Sequence, residues 1–277
     1  MSLIKNIKHL FSQRRIFKYI IGQFLYKTWL CRFFLIRIDD ITLCFHPTIL
    51  SLYLWIDRDC RLHDRIILRR CLSLWDTYID VWTNIWSLLI EAGKLVWPTG
   101  IAIWYEPLKR IHNYLQQNIA LNHLNNVISF NKAVSSHVWG VKISDNDDQS
   151  FVCASTESSE AGDVETMSLD DSLDMKKVLE ERKVKLLKID VEWYERYVLD
   201  ASKNILKSTQ YVYIEISREL LERSFSSVEE ILDRLDDFEY VYILDEHYEL
   251  VKVERSDIVA WDYLFSKIKL HAELSKD

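Results

Sequence analysis

An α/β domain with a mostly parallel sheet and helices on both faces is predicted by three observations. Short apolar runs alternate with longer helical patterns from Thr77 onward. At 277 residues, 49% hydrophobic and 28% charged, the chain is long enough for one large domain with an appendage. The segment Asp76–Ser87 has the layout of a strand, a tight turn and a helix start, the first βα unit of a Rossmann-like sheet.

The elements follow in order. Residues 1–28 read as helical, with Leu3, Ile4, Ile7, Leu10, Phe11, Phe17 and Ile20 near helical spacing. Arg32–Ile38 and Ile41–His46 read as two short strands joined by an Asp39-Asp40 turn, and Cys60–Leu72 as a lead-in helix. These form an N-terminal extension, residues 1–72, ahead of a domain over 73–270. In the domain, Thr77–Val81 is a strand, Asn84–Leu95 a helix, Ile101–Tyr105 a strand and Leu108–Leu121 a helix. Val127–Val134 and Val138–Ser144 are strands, and Gln149–Asp163, rich in Ser, Glu and Asp, is a loop. Leu173–Arg182 is helical and Val184–Ile189 a buried strand. Tyr194–Ile205 is a helix, Tyr211–Ile216 a strand and Val228–Leu235 a helix. Tyr240–Leu244 and Leu250–Val253 close the sheet as antiparallel strands.

Charge is uneven. The net charge is −7, yet residues 1–38 carry eight Lys/Arg and no acid, which leaves 27 basic against 42 acidic residues in the rest. An acidic body argues against a nucleic-acid-binding face. The basic start reads either as an amphipathic helix on an anionic membrane surface or as a helix packed on the domain with a solvated basic face. Its longest uncharged stretch, Tyr19–Tyr26, is far short of the roughly 20 residues of a spanning helix. Five cysteines (Cys31, Cys44, Cys60, Cys71, Cys153) without paired spacing indicate reduced thiols and a cytoplasmic protein, and no metal site is predicted.

Tryptophan usage is anomalous. The chain has 10 Trp and 5 Gly, where average usage gives roughly 19 glycines. Trp55, Trp75, Trp82, Trp86, Trp97, Trp139 and Trp193 stand in turn-like contexts. Replacing Trp82 and Trp86 by glycine turns D-V-W-T-N-I-W into D-V-G-T-N-I-G, a loop that lets backbone approach a ligand and a helix start without a clash. Two readings follow. The tryptophans are real and fill a degenerate site, or a codon, most simply UGA, is read as glycine in the source organism and is rendered here as tryptophan.

Ligands of such sheets sit at the carboxyl ends of strands near the point where strand order reverses. Asp80 ends the first strand there, and Glu106, before Pro107, ends the second, placed to hold both hydroxyls of a ribose or to sit at a helix N-terminus. A ribose fits NAD, FAD or S-adenosylmethionine, but even with glycines restored the loop lacks the G-x-G-x-x-G of a dinucleotide site.

The later segments complete a pattern: Asp80–Trp86, Glu106-Pro107, N-I-A-L-N at 118–122, S-L-D-D at 168–171, K-I-D-V-E-W-Y-E at 188–195 and I-E-I at 214–216. Over about residues 46–265 this resembles the FkbM-type S-adenosylmethionine-dependent methyltransferases, whose signature has glycine where Trp82, Trp86 and Trp193 stand and alanine where Thr83 stands. The resemblance implies a Rossmann-like class I methyltransferase fold with a mostly parallel seven-stranded sheet. It also implies methyl transfer from S-adenosyl-L-methionine to a hydroxyl of a sugar, glycan or secondary metabolite. Asp80, Val81, Trp82, Asn84, Trp86, Glu106, Pro107, Asn131 and Ala133 are the expected cofactor-binding positions. Asp190 and Glu192, at the end of the fourth strand, are the candidate catalytic carboxylates. Otherwise they are structural, one capping the next helix and one pairing with Lys188 or Arg196. If the tryptophans are real, the alternative is a methyltransferase-fold binding or scaffold protein without cofactor.

Overall fold

The computed structural model describes residues 15–82, 86–136, 141–143, 152–154, 164–172, 182–223 and 225–270. The extension holds helix α1 (Ile16–Lys27), a 3₁₀ turn, a hairpin of β1 (Leu35–Ile38) and β2 (Ile41–Cys44), α2 (Ile49–Ile56) and α3 (Leu62–Cys71). Next come β3 (Thr77–Val81), α4 (Trp86–Val96), β4 (Ile101–Tyr105), α5 (Lys109–Leu121), β5 (Val127–Phe130) and the short strands β6 (Ala133–Val134), β7 (Lys142–Ile143), β8 (Val152–Ala154) and β9 (Thr166–Met167). The second half holds β10 (Val184–Ile189), α6 (Glu195–Asp200), α7 (Lys203–Ser208), β11 (Tyr211–Ser217), α8 (Arg218–Arg223), α9 (Val228–Arg234), β12 (Tyr240–Leu244), β13 (Leu250–Val253) and β14 (Ala260–Ser266).

The main sheet has eight strands in the order β13-β12-β14-β11-β10-β3-β4-β5. β5, β4, β3, β10 and β11 run parallel, and β14 is wedged antiparallel between β11 and β12. The order reverses at β3, which pairs β4 on one side and β10 on the other. Residues two apart along the strands share a face. Ile79, Val81, Ile103, Tyr105, Leu187, Ile189, Val212 and Ile214 lie in one buried cluster with Val198, Ile205 and Ile231 of the later helices. Tyr78, Trp104, Leu186, Tyr211, Tyr213 and Leu264 lie in the other, with Ile36, Leu43, Phe45, Leu50 and Ile67 of the extension. The extension therefore packs on one face of the sheet together with α4 and α5, whose Leu88, Ile90, Ile111 and Leu115 belong to the same cluster.

Two sequence motifs are explained by this packing. Asn118 Oδ1 accepts from the Cys44 backbone N–H at 2.8 Å. Asn122 accepts from Thr42 N at 3.0 Å and donates to Thr42 O at 2.6 Å. The N-I-A-L-N helix end thus completes the free edge of β2. In S-L-D-D, Asp170 accepts from Asn204 N at 2.8 Å and Ile205 N at 3.0 Å, satisfying first-turn N–H groups of α7.

Some elements differ from the sequence reading. The closing pair β12–β13 forms, but β14 and α2 are additional, and β13 extends the expected seven strands to eight. The predicted strand Val127–Val134 is two strands with different partners, β5 on β4 and β6 on β9. The predicted helix Tyr194–Ile205 is broken into α6 and α7. The predicted loop 149–163 contains β8. Most of the predicted helix Leu173–Arg182 lies outside the described residues, as do most of Val138–Ser144 and the first fourteen residues.

Candidate functional site

The carboxyl ends of β3, β4, β5, β10 and β11 gather the predicted residues. Asp80 is fully buried and accepts a hydrogen bond from Tyr78 Oη at 2.8 Å. Trp82 follows with φ 54°, a left-handed backbone, its N–H donating to Tyr105 O at 3.0 Å. Thr83 to Ile85, and so Asn84, lie outside the described residues; Trp86 opens α4. Glu106 is buried at the end of β4, with Oε1 accepting from Leu108 N at 2.8 Å, just before α5. Asn131 Nδ2 donates to Glu106 O at 2.8 Å and Pro107 O at 2.9 Å, tying the end of β5 to the turn after β4. Ala133 is buried in β6, in register with Thr166.

Two of the three glycine positions of the motif, 82 and 193, carry a left-handed backbone, while Trp86 opens α4. Trp75, Trp82 and Trp193 have φ of 75°, 54° and 73°, and Glu192 beside Trp193 has 50°. A left-handed residue with a Cβ costs roughly 1–2 kcal/mol, which is why glycine is the default there. Trp82 is only 5% exposed and belongs to the same buried cluster as Ile103, Tyr105, Ala133 and Val134. With indole at 82, the ends of β3 and β4 offer no close backbone approach, so the residues as written do not fit the cofactor that this position takes with glycine.

The end of β10 is strongly ionic. Lys188, 2% exposed, holds Asp190 Oδ2 at 2.9 Å, and Arg61, the residue just before α3, stands 3.7 Å from the same oxygen. Arg61 also pairs with Asp64 at 2.8 Å, and Asp64 accepts from Tyr213 Oη at 2.8 Å. Burial opposes ionisation of Asp190, but Lys188 and Arg61 outweigh it and hold its pKa low. Burial and the Asp190 charge push Glu215 up, so Glu215 is the protonated partner in their shared hydrogen bond. Asp262, in register with Glu215, is pushed up to about 7 by burial and by the charges of Asp64 and Asp190. Glu192, half-buried in the left-handed turn, is raised by burial and by Asp190. Glu195 is buried, accepts from Trp193 N at 3.1 Å, and is pushed up to about 8 by burial.

A cavity of about 590 Å³ opens beside this cluster, between α3 and strands β11, β12 and β14. Arg61, Asp64, Tyr213 and Asp262 line it, along with Tyr242 and Leu244. Asp190 and Glu192 were legible in sequence; Arg61, Asp64 and Asp262 were not, since they come from the start of α3 and from β14, far along the chain from the motifs.

The sheet order, with one antiparallel strand wedged beside the last parallel one and the reversal at β3, defines a Rossmann-like class I methyltransferase fold. The family is then shown by the methyltransferase FkbM domain model, which matches residues 76–243: this chain belongs to the FkbM methyltransferase family, enzymes that use S-adenosyl-L-methionine. Among solved structures, the chain is similar to an S-adenosylmethionine-dependent O-methyltransferase from Thermotoga maritima at 14% identity, covering 77% of this chain and 67% of that one with TM-score 0.43. It is also similar to an O-methyltransferase from Bacillus cereus in complex with S-adenosylhomocysteine, at 9% identity, covering 77% and 81% with TM-score 0.41. An rRNA methylase from Streptococcus thermophilus is similar at 11% identity, covering 75% and 95% with TM-score 0.41. No curated protein matches the chain in sequence.

Proposed function

We propose that this methyltransferase acts on a hydroxyl of a sugar, glycan or secondary metabolite, in a polypeptide that carries glycine at 82, 86 and 193. The observation that carries the glycine reading is the left-handed backbone at Trp82 and Trp193, two of the three family glycine positions. Trp75 adds a third left-handed tryptophan outside the motifs. Trp55 departs from its turn-like sequence context, because the helix runs on to Ile56: it sits inside α2, its indole N–H donates to Lys18 O at 3.1 Å, and Phe34 and Phe45 pack edge-on against it. The left-handed backbone at 75, 82 and 193 supports a recoded codon at these turns.

The hydroxyl acceptor is supported by the cavity and its carboxylates. Polar groups converging in a cavity of this size suit a small polyhydroxylated ligand. Asp190, kept ionised, orients an acceptor hydroxyl, and Asp262 takes its proton. Glu106 and the loop after Asp80 are the proposed cofactor contacts.

Two experiments test this. The coding DNA and the tryptic peptides of the protein from its own host read positions 75, 82 and 193 directly; UGG codons at 82 and 193 would end the recoding reading. A screen of sugar and glycolipid acceptors with labelled donor, using the glycine form, tests the reaction. No transfer to any hydroxyl would favour the scaffold reading instead.

A further inference from the structure

Helix α1 wears its apolar stripe on the outside. Gly22 and Leu25 are its buried residues. A Cβ on Gly22 would come within 2.6 Å of Leu52 and 3.0 Å of Trp55, so the glycine lets α1 lie directly on α2. The residues at helical spacing on the other side, Phe17, Ile20, Ile21 and Phe24, face solvent, with Phe17 77% and Phe24 57% exposed. The 3₁₀ turn continues the surface with Phe33, 66% exposed. Single exposed hydrophobics are ordinary, but a contiguous run of large ones marks an interaction surface.

The charge around the stripe selects the partner. Lys18, Lys27, Arg32 and Arg37 are exposed along the same segment, and residues 1–38 contain no acid. Arg32 lies 4.7 Å over the Phe33 ring, which keeps its cation beside the apolar face. A second copy of this chain would set like charges against each other across a two-fold axis. An anionic bilayer answers both features, because acyl chains accept the aromatic stripe and anionic headgroups the Lys/Arg rim. At 12 residues α1 cannot cross a membrane, and no helix among the described residues is long and apolar enough to do so. We propose that α1 and the following turn dock the protein on an anionic membrane surface, lying in the plane of the interface.

The test is co-sedimentation of the full chain with vesicles of phosphatidylglycerol and phosphatidylcholine, and with phosphatidylcholine alone. The protein is expected to pellet with the anionic vesicles at low salt, to leave them at high salt, and to stay in solution with the neutral ones. The double variant Phe17→Ser/Phe24→Ser should lose pelleting while melting at the parent temperature, since both side chains are exposed. Lys18→Gln/Arg32→Gln should weaken partitioning by roughly 25-fold, at about fivefold per basic residue. The proposal is overturned if the parent chain stays in solution with anionic vesicles, or if the serine variant pellets equally well. It is also overturned if sedimentation equilibrium shows a dimer that the serine substitutions dissociate and no vesicle binding accompanies it.

Discussion

Asp190 Oδ2 lies 2.9 Å from Nζ of Lys188, two residues earlier on the same side of β10. This is a buried ion pair at the centre of the candidate site, and its two ends are unequal. Lys188 is 2% exposed and its ammonium has nowhere to go, whereas Asp190 also reaches Arg61. Burial opposes the Lys188 charge, but Asp190, Asp80 and Asp64 raise its pKa nonetheless. Lys188→Met should therefore leave several carboxylates without their buried cation and destabilise the protein by about 3–5 kcal/mol. Urea unfolding measures this; a loss under 1 kcal/mol would mean that Arg61 alone balances the cluster.

The central sheet was legible because its strands are apolar runs between turn residues. Val184–Ile189 and Tyr211–Ile216 announce themselves that way. β14 escaped because only Tyr263 to Ser266 are buried, while Ala260, Trp261 and Asp262, the last two lining the open cavity, are exposed and break the pattern. α2 escaped because Ile49–Ile56 is apolar nearly all round, which periodicity cannot distinguish from a buried strand. The site was half legible for a related reason. Asp190 and Glu192 share one motif, but Asp64, Glu215 and Asp262 meet only when β14 pairs β11 and α3 lies across them. No local signal records that meeting.

Glu195 gives the clearest pH dependence in stability. Its pKa is raised from 4.5 to about 8 by burial, so the folded state holds a proton that the unfolded chain releases. The stabilisation is complete below about pH 4.5 and is lost as pH rises through 8. Glu195→Gln keeps an oxygen to accept from Trp193 N and stays neutral at every pH. The variant should lose this descending contribution, with its advantage over the parent largest near pH 8. Melting temperatures from pH 5 to 8.5 decide it, and parallel curves would show that Glu195 ionises freely in the folded protein.

Asp262 should shape the pH–rate profile. Arg61 and Asp64 face it from the start of α3, Lys188 and Asp190 from the end of β10, and Tyr213 and Glu215 from β11. Burial, then the charges of Asp64 and Asp190, raise it to about 7 against the pull of Lys188 and Arg61, so turnover should fall as pH drops through that value. Asp262→Asn should abolish this limb and slow methyl transfer by roughly 10²–10⁴, with cofactor affinity unchanged. A variant as fast as the parent, with the same profile, would move the proton acceptor elsewhere.

Glu106 separates binding from framework. Its Oε1 holds Leu108 N, a bond that glutamine can keep. In the glycine form, Glu106→Gln should leave melting unchanged and weaken cofactor binding by about 1.5–3 kcal/mol, the range for hydrogen bonds to a charged group. Calorimetry reads the difference, and an unchanged dissociation constant would assign Glu106 solely to the turn before α5.

The tryptophans make the sharpest test. Trp82 and Trp193 each hold a left-handed backbone that strains any residue with a Cβ, and Trp82 adds a buried indole beside the end of β4. Both effects vanish on substitution by glycine. Trp82→Gly and Trp193→Gly should relieve strain of roughly 1–2 kcal/mol per site, partly offset at 82 by lost apolar burial. Affinity should change more than stability. With indole present, the cofactor has to displace a packed side chain, and overpacking alone costs about 1–3 kcal/mol even where a chain adapts. The form with glycine at 82, 86 and 193 should therefore bind S-adenosylmethionine and its demethylated product with at least tenfold higher affinity than the tryptophan form. Both proteins can be titrated with S-adenosylhomocysteine, which needs no acceptor and no turnover. Equal affinities would show that indole leaves the cofactor cleft open, and the case for glycine would then rest on the coding DNA alone.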